Sequence, residues 1–529
     1  MPSPLFGVET EYALAGRFPD GTSVPLDHLL REVMGLATRQ LPHLPDGHGG
    51  MFLTNGARLY LDHGGHPELA TPECTDPRDL VRQVLAGHRI VEGLAREAEA
   101  RNPAIGEILL LASNVDYGGS QATWGCHESY LFRRDRENTA EQILPHLVSR
   151  VIFTGAGGFD PRSAGLAFTL SPRAHYLELA TSPDSTRSRG IVHTKDEPLS
   201  NGIYRRLHLI CGESLRSERA TWLKVGTTAL VVALIDAGFR PAAAVGLADP
   251  ITALRAFAAD PTCTARVPCK NGGTISAIEL QRHYLEQIER HLVPPARAGW
   301  VEEICREWRA VLDGLAADPA RLSGTLDWAI KWAAYDGFLR RRGLTWDSVR
   351  HWSLVRTRLL GAWCHAGLGD LPANLEVVLG RHSPIRYTVR YLGRLLRAWG
   401  EDWERLQAFQ TLRDELFEID TRFAQIGQRG LFDGLARQGV LDHELPGLGD
   451  VGSAMRSAPE GSRARLRGEW VSRLAAASQH YQCDWTAIWS LDGRHLSLAD
   501  PFAQYAAWSA ARAGAQLDVE PFPAIGFGS

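Results

Sequence analysis

The chain has 529 residues and a mass of 58.2 kDa, with 44% hydrophobic and 22% charged residues. This is the composition of a globular protein with one large and one smaller domain, because single cores stop growing near ~250–300 residues. The net charge of −4 and the pI of about 6.6 give no general attraction to nucleic acid or to acidic membranes, so neither is expected as a partner.

Cysteine usage and the N-terminal sequence exclude further classes. The eight cysteines are scattered without a CxxC pair, so we expect neither a thiolate zinc site nor a disulfide framework. The opening sequence MPSPLFGVETEY has no basic n-region and no apolar h-region, unlike a signal peptide. The longest apolar run, around 229–235, is too short to span a bilayer. These features favour a soluble cytoplasmic protein.

The first predicted strand, over 5–13, carries two carboxylates on one face. Side chains alternate along a strand, so Glu9 and Glu11 point the same way, roughly 6–7 Å apart at the backbone. That spacing suits oxygen ligands for one divalent cation or for two neighbouring ones. The alternative is an edge strand with an acidic face in solvent.

A hairpin is predicted next, over 51–62. An Asn-Gly dipeptide at 55–56 between alternating residues is the strongest short hairpin signal. One face of the second strand and the loop after it present Arg58, Tyr60, Asp62 and Glu68. Such a row is typical of an active site on a sheet, although an exposed strand with a structural ion pair gives the same pattern.

Strands and helices then alternate up to about residue 238. Strands are predicted over 105–112, 124–132, 168–179 and 204–212, and helices over 24–41, 75–101, 139–154 and 220–237. His127 and Glu128 point to opposite faces of their strand, so at most one of them serves a given site. The glycine-rich run 155–158 is neither GxGxxG nor a Walker A loop, and it predicts a turn.

Two groups of cations have two interpretations each. Five of them, Arg187, Arg189, Lys195, Arg205 and Arg206, form either a phosphate-binding cluster or a solvated basic loop. Beyond residue 238 helical periodicity takes over, with helices predicted over 278–292, 302–315 and 326–340 and a helical stretch to about 428. Within that stretch Arg386, Arg390, Arg394 and Arg397 form either a solvated helix face or a surface for an acidic partner.

Together these residues predict an acidic, magnesium-like site with one basic group on a sheet. Magnesium keeps several waters and usually bridges to substrate phosphates, so a nucleotide is the expected third party.

Several motifs resemble one family. Gly7-Val8-Glu9-Thr10-Glu11-Tyr12 resembles the first strand of the Pup ligase and depupylase family, which is proteasome accessory factor A-like. That family belongs to the carboxylate-amine ligases, which are related to glutamine synthetase. The stretches 55–62 and 66–74 resemble its central signature. Further matches follow in chain order at 125–130, 194–198, 204–208, 223–230 and 463–469.

The resemblance implies a fold and a division of the chain. The expected fold is α+β, a glutamine-synthetase-like curved antiparallel sheet flanked by helices. The catalytic domain would span 1–429, with an inserted helical bundle at about 345–412. A small C-terminal domain would span 430–529.

The resemblance also implies site residues, carried over position by position. Magnesium would be held by Glu9, Tyr60 and Glu68, and Glu11 is close enough to join them. ATP would be contacted by Arg58, Thr71 and Trp485. The catalytic base would be Asp62.

The implied activity is an ATP- and magnesium-dependent ligation. A glutamate carboxylate of a small Pup-like modifier would be joined, through an acyl phosphate, to a lysine of a protein or to another amine. One alternative is a deamidase or isopeptidase of the same fold, which the sequences Asp62-His63 and 72–75 resemble. The spacing between Glu11 and Asn55, 55 − 11 = 44 positions, leaves no room for the long extra loop of that branch. The ligase is therefore favoured.

Two further alternatives remain at this stage. Lys195 stands where the family has an arginine, and together with the insertion this leaves open an amide ligase for a different peptide or small molecule. A catalytically silent binding paralogue is disfavoured, because the full pattern of site residues is present.

Overall fold

The computed structural model of the protein describes residues 4–120, 122–163, 165–185, 187–195, 197, 199–292, 299–365 and 393–509. Its strands are β1 (Phe6–Glu11), β2 (Ala13–Arg17), β3 (His43–Pro45), β4 (Met51–Leu53), β5 (Arg58–Leu61), β6 (Pro67–Ala70), β7 (Glu107–Leu111), β8 (Cys126–Arg133), β9 (Gly158–Phe159), β10 (Phe168–Thr169), β11 (Leu179–Ser182), β12 (Gly190–His193), β13 (Tyr204–Leu209), β14 (Arg266–Pro268), β15 (Thr274–Ser276), β16 (Tyr481–Cys483), β17 (Ala487–Ser490) and β18 (His495–Ser497).

The α-helices are α1 (Leu26–Gln40), α2 (Pro77–Arg101), α3 (Thr139–Ser149), α4 (Val151–Thr154), α5 (Glu218–Asp236), α6 (Pro250–Ala258), α7 (Ala277–His291), α8 (Gly299–Ala317), α9 (Asp327–Arg341), α10 (Trp346–His365), α11 (Trp403–Ala424), α12 (Leu431–Arg437), α13 (Val451–Ala454) and α14 (Arg463–Leu474). Residues 393–398 are also helical. None of the helices in these ranges is both long and apolar enough to cross a bilayer.

A nine-stranded sheet carries the site. Its strand order is β11-β12-β13-β8-β1-β6-β5-β4-β3, and all neighbours are antiparallel except β11 and β12. Glu9 lies opposite Ala70 on one side and opposite His127 on the other, while Glu68 lies opposite both Glu11 and Tyr60. Directly opposed residues share a face, so this register brings the polar side chains of four strands together.

The other face of the sheet packs on helices. Helix α5 is apolar on nearly every side and lies in the middle of the largest core cluster, which is how an all-round hydrophobic helix is expected to pack. Glu128 points into this core and is fully buried, where Arg150 Nη1 donates to its Oε2 at 2.9 Å. The prediction that His127 and Glu128 serve different faces is confirmed, and Glu128 is a structural residue.

The C-terminal segment builds a small unit of its own. Strands β16, β17 and β18 form a three-stranded sheet beside α14. Their core contains Leu466, Cys483 and Ile488, together with Leu44 and Phe52 from the main sheet. The unit therefore packs on the β3–β4 end of the nine-stranded sheet. The expected division of the chain at 429 and 430 stays a prediction.

Most predicted elements are present. The α+β fold is confirmed, and α2 begins as expected, with Asp76 accepting from the Arg78 N–H at 2.8 Å. The long strand predicted over 168–179 is wrong. Strand residues occur only at the two ends of this range, in Phe168–Thr169 and at Leu179, and Pro172–Tyr176 is a 3₁₀ helix. Proline cannot donate to a sheet ladder and is well suited to the first turn of a helix.

The structure describes most of the first predicted group of cations but only part of the second. Arg206 lies in the site, whereas Arg187, Lys195 and Arg205 are exposed, so most of the first group is a solvated surface. In the second group, Arg386 and Arg390 fall outside the described residues.

Candidate active site

Glu9 is the centre of a charged cluster on the open face of the main sheet. Its Oε1 lies 3.3 Å from Arg206 Nη1, and its Oε2 lies 3.5 Å from His208 Nε2 and 3.7 Å from His127 Nδ1. Burial alone would raise the pKa of Glu9, but hydrogen bonds from His127 and His208 and the charge of Arg206 lower it well below the usual value. Glu9 is therefore a carboxylate at neutral pH.

Glu11 and Glu68 form the second part of the cluster. Both side chains are buried, and Glu11 Oε1 lies 3.4 Å from His127 Nε2. Burial and the charges of Glu9 and Glu11 raise the pKa of Glu68 well above its usual value. Within the described residues, Glu68 Oε1 is buried and has no hydrogen-bond partner. Crowded carboxylates with an orphaned oxygen are what a bound cation would stabilise.

Metal-ligating atoms converge at three overlapping places within the described ranges. The groups, each with its ligand atoms within 4.8 Å of one another, are Glu9–His127–His208, Glu11–Glu68–His127 and Glu11–Asp62–His66. Carboxylate oxygens are the ligands that magnesium prefers. The donor set and the orphaned Glu68 oxygen therefore fit a divalent cation.

Arg58 and Tyr60 lie on β5 beside the carboxylates. Arg58 is held by Asp46, and its guanidinium lies over the Tyr60 ring, 4.1 Å from the centroid. Burial, followed by the charges of Glu9 and Glu68, raises the pKa of Tyr60 well above its usual value. The phenol therefore stays protonated unless a cation binds it.

Asp62 lies at the edge of the site, in the turn between β5 and β6. Its Oδ1 accepts from the His66 N–H at 2.6 Å, and its Oδ2 lies 3.1 Å from His66 Nδ1. Burial opposes ionisation, but these hydrogen bonds and the nearby His66 lower the pKa of Asp62. The side chain is 18% exposed. Asp62 is thus an accessible carboxylate that is ionised at neutral pH, as a proton acceptor must be.

A cleft opens over the same face, between the main sheet and the C-terminal unit. Its empty volume is about 580 Å³, open solvent at its mouth included. Glu9 and Thr71 lie on its sheet side, and Arg463, Trp485 and Pro501 come from the C-terminal unit. A pocket that is mostly apolar, with a few converging polar groups, is the usual form of a nucleotide or cofactor site.

Two residues expected to contact ATP line this cleft. Thr71 Oγ1 accepts from the Val8 N–H at 3.1 Å, which leaves its hydroxyl hydrogen available to a ligand. The Trp485 ring packs edge to face on Phe52, with centroids 5.1 Å apart, and Arg467 lies 4.7 Å over it. Arg58 does not line the cleft and lies farther along the same face.

A buried ion triad attaches the C-terminal unit to the sheet. Arg463 Nε donates to Glu73 Oε1 at 2.7 Å, and Arg467 also pairs with Glu73. Arg467 Nη2 donates to the Gly56 carbonyl at 3.0 Å, next to the predicted hairpin turn. Burial would raise the pKa of Glu73, but the two guanidinium groups lower it to about 2.

The structure thus brings together six of the seven residues expected to form the site, on or beside one sheet face. These are Glu9, Arg58, Tyr60, Asp62, Glu68 and Thr71, and the seventh, Trp485, approaches from the C-terminal unit. Their roles as ligands, ATP contacts and base stay predictions.

The sequence indicated no role for Asp46, His66 and His208, and it indicated Arg206 only as one member of a possible phosphate-binding cluster. The alternation of Arg206 and His208 on a strand was an available signal, but the pairing of β13 with β8 is not visible in the sequence. Asp46 lies in a glycine-rich loop without periodicity, so no pattern indicated it.

Comparison with known proteins gives the family. The family model described as Pup-ligase protein matches residues 5–355 and 400–489. The Pup--protein ligase of Paenarthrobacter aurescens (strain TC1) is 30% identical over 517 residues, which is 95% of this chain and 97% of that protein. The Pup deamidase/depupylase of Mycobacterium tuberculosis (strain CDC 1551 / Oshkosh) is 40% identical over 317 residues, which is 58% of this chain and 61% of that protein.

Two solved structures of the Pup ligase PafA are also similar to this chain. The ligase PafA in its complex with the prokaryotic ubiquitin-like protein Pup matches with a TM-score of 0.73 and 25% identity, over 95% of this chain and 90% of that chain. PafA in complex with ADP matches with a TM-score of 0.67 and 25% identity, over 91% and 92%. The chain belongs to the Pup-ligase protein family.

Proposed function

We propose that the protein is an ATP- and magnesium-dependent ligase that joins a glutamate carboxylate of a Pup-like modifier to a lysine amine of a protein. The observation that carries the proposal is the row of carboxylates on β1 and β6, which lies between an apolar cleft and an ionised, accessible aspartate. The ligase activity in the name of a relative that matches almost the whole chain supports it.

The nucleotide would lie in the cleft between the sheet and the C-terminal unit. Trp485 and the apolar wall would pack on its base, and Thr71 and Arg58 would donate to its polar groups. Glu9 and Glu68, with Tyr60 and Glu11 beside them, would hold magnesium, which when bound neutralises charge on the phosphates. PafA has been solved in complex with ADP, which supports nucleotide binding by this chain.

The reaction would proceed in two steps. The modifier's carboxylate oxygen attacks the γ-phosphorus, ADP leaves, and an acyl phosphate forms. The amine then attacks the carbonyl carbon and phosphate leaves, so an isopeptide bond forms. A lysine ammonium is not nucleophilic until it loses a proton, and Asp62 is the group positioned to accept that proton.

A depupylase is the second candidate, because the 317 matched residues are 40% identical to those of a Pup deamidase/depupylase. In that case Asp62 would act in hydrolysis, and ATP would not be consumed. A ligase acting on another peptide or small molecule is the third, because the family model leaves 356–399 unmatched.

One measurement separates these candidates. Purified protein with magnesium and ATP is assayed for ADP and ammonia, with a Pup-like peptide ending in either glutamate or glutamine. We expect ADP formation that depends on the glutamate-ended peptide. Ammonia release from the glutamine-ended peptide without ATP turnover would identify the depupylase branch. ATP binding with neither product would indicate a different substrate.

A further inference from the structure

The loop between β3 and β4 holds a buried carboxylate whose two oxygens have separate partners. Asp46 is 4% exposed. Its Oδ1 accepts from the backbone N–H groups of His48 and Gly50, each at 2.8 Å. Its Oδ2 accepts from Arg58 Nε at 2.7 Å and from Arg58 Nη2 at 2.5 Å. One oxygen closes the loop, and the other holds the guanidinium.

We propose that Asp46 is a positioning residue that orients Arg58 toward the phosphates of the bound nucleotide. The inference rests on the proposed function, because that function gives Arg58 its phosphate partner. A guanidinium has five N–H donors in a fixed plane, and Asp46 uses only the edge formed by Nε and Nη2. Within the described part of the chain Arg58 Nη1 has no hydrogen-bond partner. Its donors are left for an anion.

The orientation is fixed from more than one side. The Tyr60 ring supports the flat face of the guanidinium at 4.1 Å. A Cβ at Gly50 would lie 2.4 Å from Asp46 Oδ2 and 2.8 Å from Tyr60 Cβ, so only glycine lets the loop come this close. Donors already held in place need no reorganisation when negative charge arrives.

The same loop also contacts the C-terminal unit. Gln482 Nε2 on β16 donates to the Asp46 carbonyl at 3.1 Å. Gly47 has φ +77°, and a Cβ there would lie 1.7 Å from Gln482 Nε2. Gln482 is three positions before Trp485. The loop therefore links the two parts of the protein that carry Arg58 and Trp485.

Charge and orientation predict opposite results for Asp46→Asn. If Asp46 acted only through its charge, its removal would leave the site more positive and strengthen ATP binding. If Asp46 acts by orientation, binding weakens. Asparagine keeps Oδ1 as the acceptor for the loop N–H groups. Its Nδ2 is a donor, so it cannot accept hydrogen bonds from Arg58 Nε and Nη2.

The test is the affinity of the full chain for ATP with magnesium, measured by titration calorimetry. We expect Asp46→Asn to weaken ATP binding about tenfold, which is the low end of the loss in affinity when a side chain that orients a binding residue is removed. The matched control is Asp27→Asn, which removes an exposed Asp–Arg pair of 2.9 Å on α1 and is expected to leave the affinity unchanged. Unchanged or tighter binding by Asp46→Asn would overturn the proposal.

A double-mutant cycle shows whether the effect passes through Arg58. In an Arg58→Ala background, Asp46→Asn should cause no further loss. An equal further loss would overturn the positioning role. Arg58→Lys keeps the charge but not the fork, and it should bind ATP as weakly as Asp46→Asn with an unchanged unfolding temperature. If Asp46→Asn fails to fold, Arg58→Lys decides alone, and full affinity in that variant would refute the inference.

Failure of the proposed function gives a different result. If the unsubstituted chain binds no ATP, the function is wrong and the inference falls with it. If it binds ATP normally and Asp46→Asn binds equally well, only the inference is wrong.

Discussion

At the scale of single residues, a substitution of Asp62 would separate ATP binding from the proposed proton transfer. Asp62→Asn keeps the shape and the Oδ1 hydrogen bond to the His66 N–H but cannot accept a proton. We expect ligation to fall roughly 10²–10⁴-fold, the usual contribution of a general base, with ATP affinity unchanged. The checks are an isopeptide assay and ATP titration. Full activity in this variant would remove Asp62 from the mechanism.

Glu9 should control metal-dependent nucleotide binding. Glu9→Ala removes the proposed oxygen ligand and leaves Arg206 and His208 without their shared carboxylate. We expect ATP affinity in magnesium to fall at least about tenfold, while the weak binding in EDTA stays the same. Glu97→Ala, on the exposed face of α2 beside Arg101, is the control. Unchanged affinity in Glu9→Ala would exclude the metal assignment.

Much of the site was predictable at this scale, and the reason is geometric. Alternation along a strand is local, so the shared face of Arg58, Tyr60 and Asp62 follows from the sequence once the hairpin is recognised. Arg206 and His208 reach Glu9 only because β13 pairs with β8, which lies far before it in the chain. Strand order depends on packing of the whole sheet, which no local pattern records.

At the scale of elements, the Glu73 triad makes docking of the C-terminal unit sensitive to acid. The pKa of Glu73 is about 2 in the folded protein and 4.5 ordinarily. Because the folded pKa is lowered, its stabilisation is present above pH 4.5 and is lost as the pH falls toward 2. The difference between these two pKa values corresponds to about 3 kcal/mol in the free energy of unfolding.

Comparison with a variant isolates this contribution. Glu73→Gln leaves Arg463 and Arg467 buried beside an uncharged amide, and we expect a loss of about 3–5 kcal/mol at pH 7. Between pH 5 and pH 3 the difference in the free energy of unfolding between the unsubstituted protein and Glu73→Gln should become smaller. Denaturant unfolding at each pH measures it, and a gap that does not change with pH would show that Glu73 does not titrate as described.

Helices were more predictable than short strands. Helices α2, α5 and α7 each begin at a side-chain N-cap, Asp76, Ser217 and Ser276 respectively, which local chemistry specifies. The apolar residues of 168–179 fitted an extended strand, but Ser171 and Pro172 start a 3₁₀ helix there. A short apolar run does not distinguish these states without its tertiary partners.

At the scale of the whole molecule, ATP should hold the two parts of the protein together. Residues from both parts line the cleft, so a nucleotide in the proposed site would bind only the docked form. ATP at a hundred times its Kd should add about 2.7 kcal/mol of stability. It should also slow proteolysis of the partly exposed segment 455–462 between α13 and α14, in which Arg456, Ser457, Glu460 and Gly461 are exposed. Equal cleavage rates with and without ATP would contradict a shared site.

The walls of the cleft come from parts of the polypeptide that are far apart in sequence. Val8 and Glu9 precede Trp485 and Pro501 in the chain, so they are synthesised long before them. A growing chain on the ribosome therefore has no complete cleft until Pro501 has been translated. A fragment released before that point would carry the acidic strand without the C-terminal wall of the cleft.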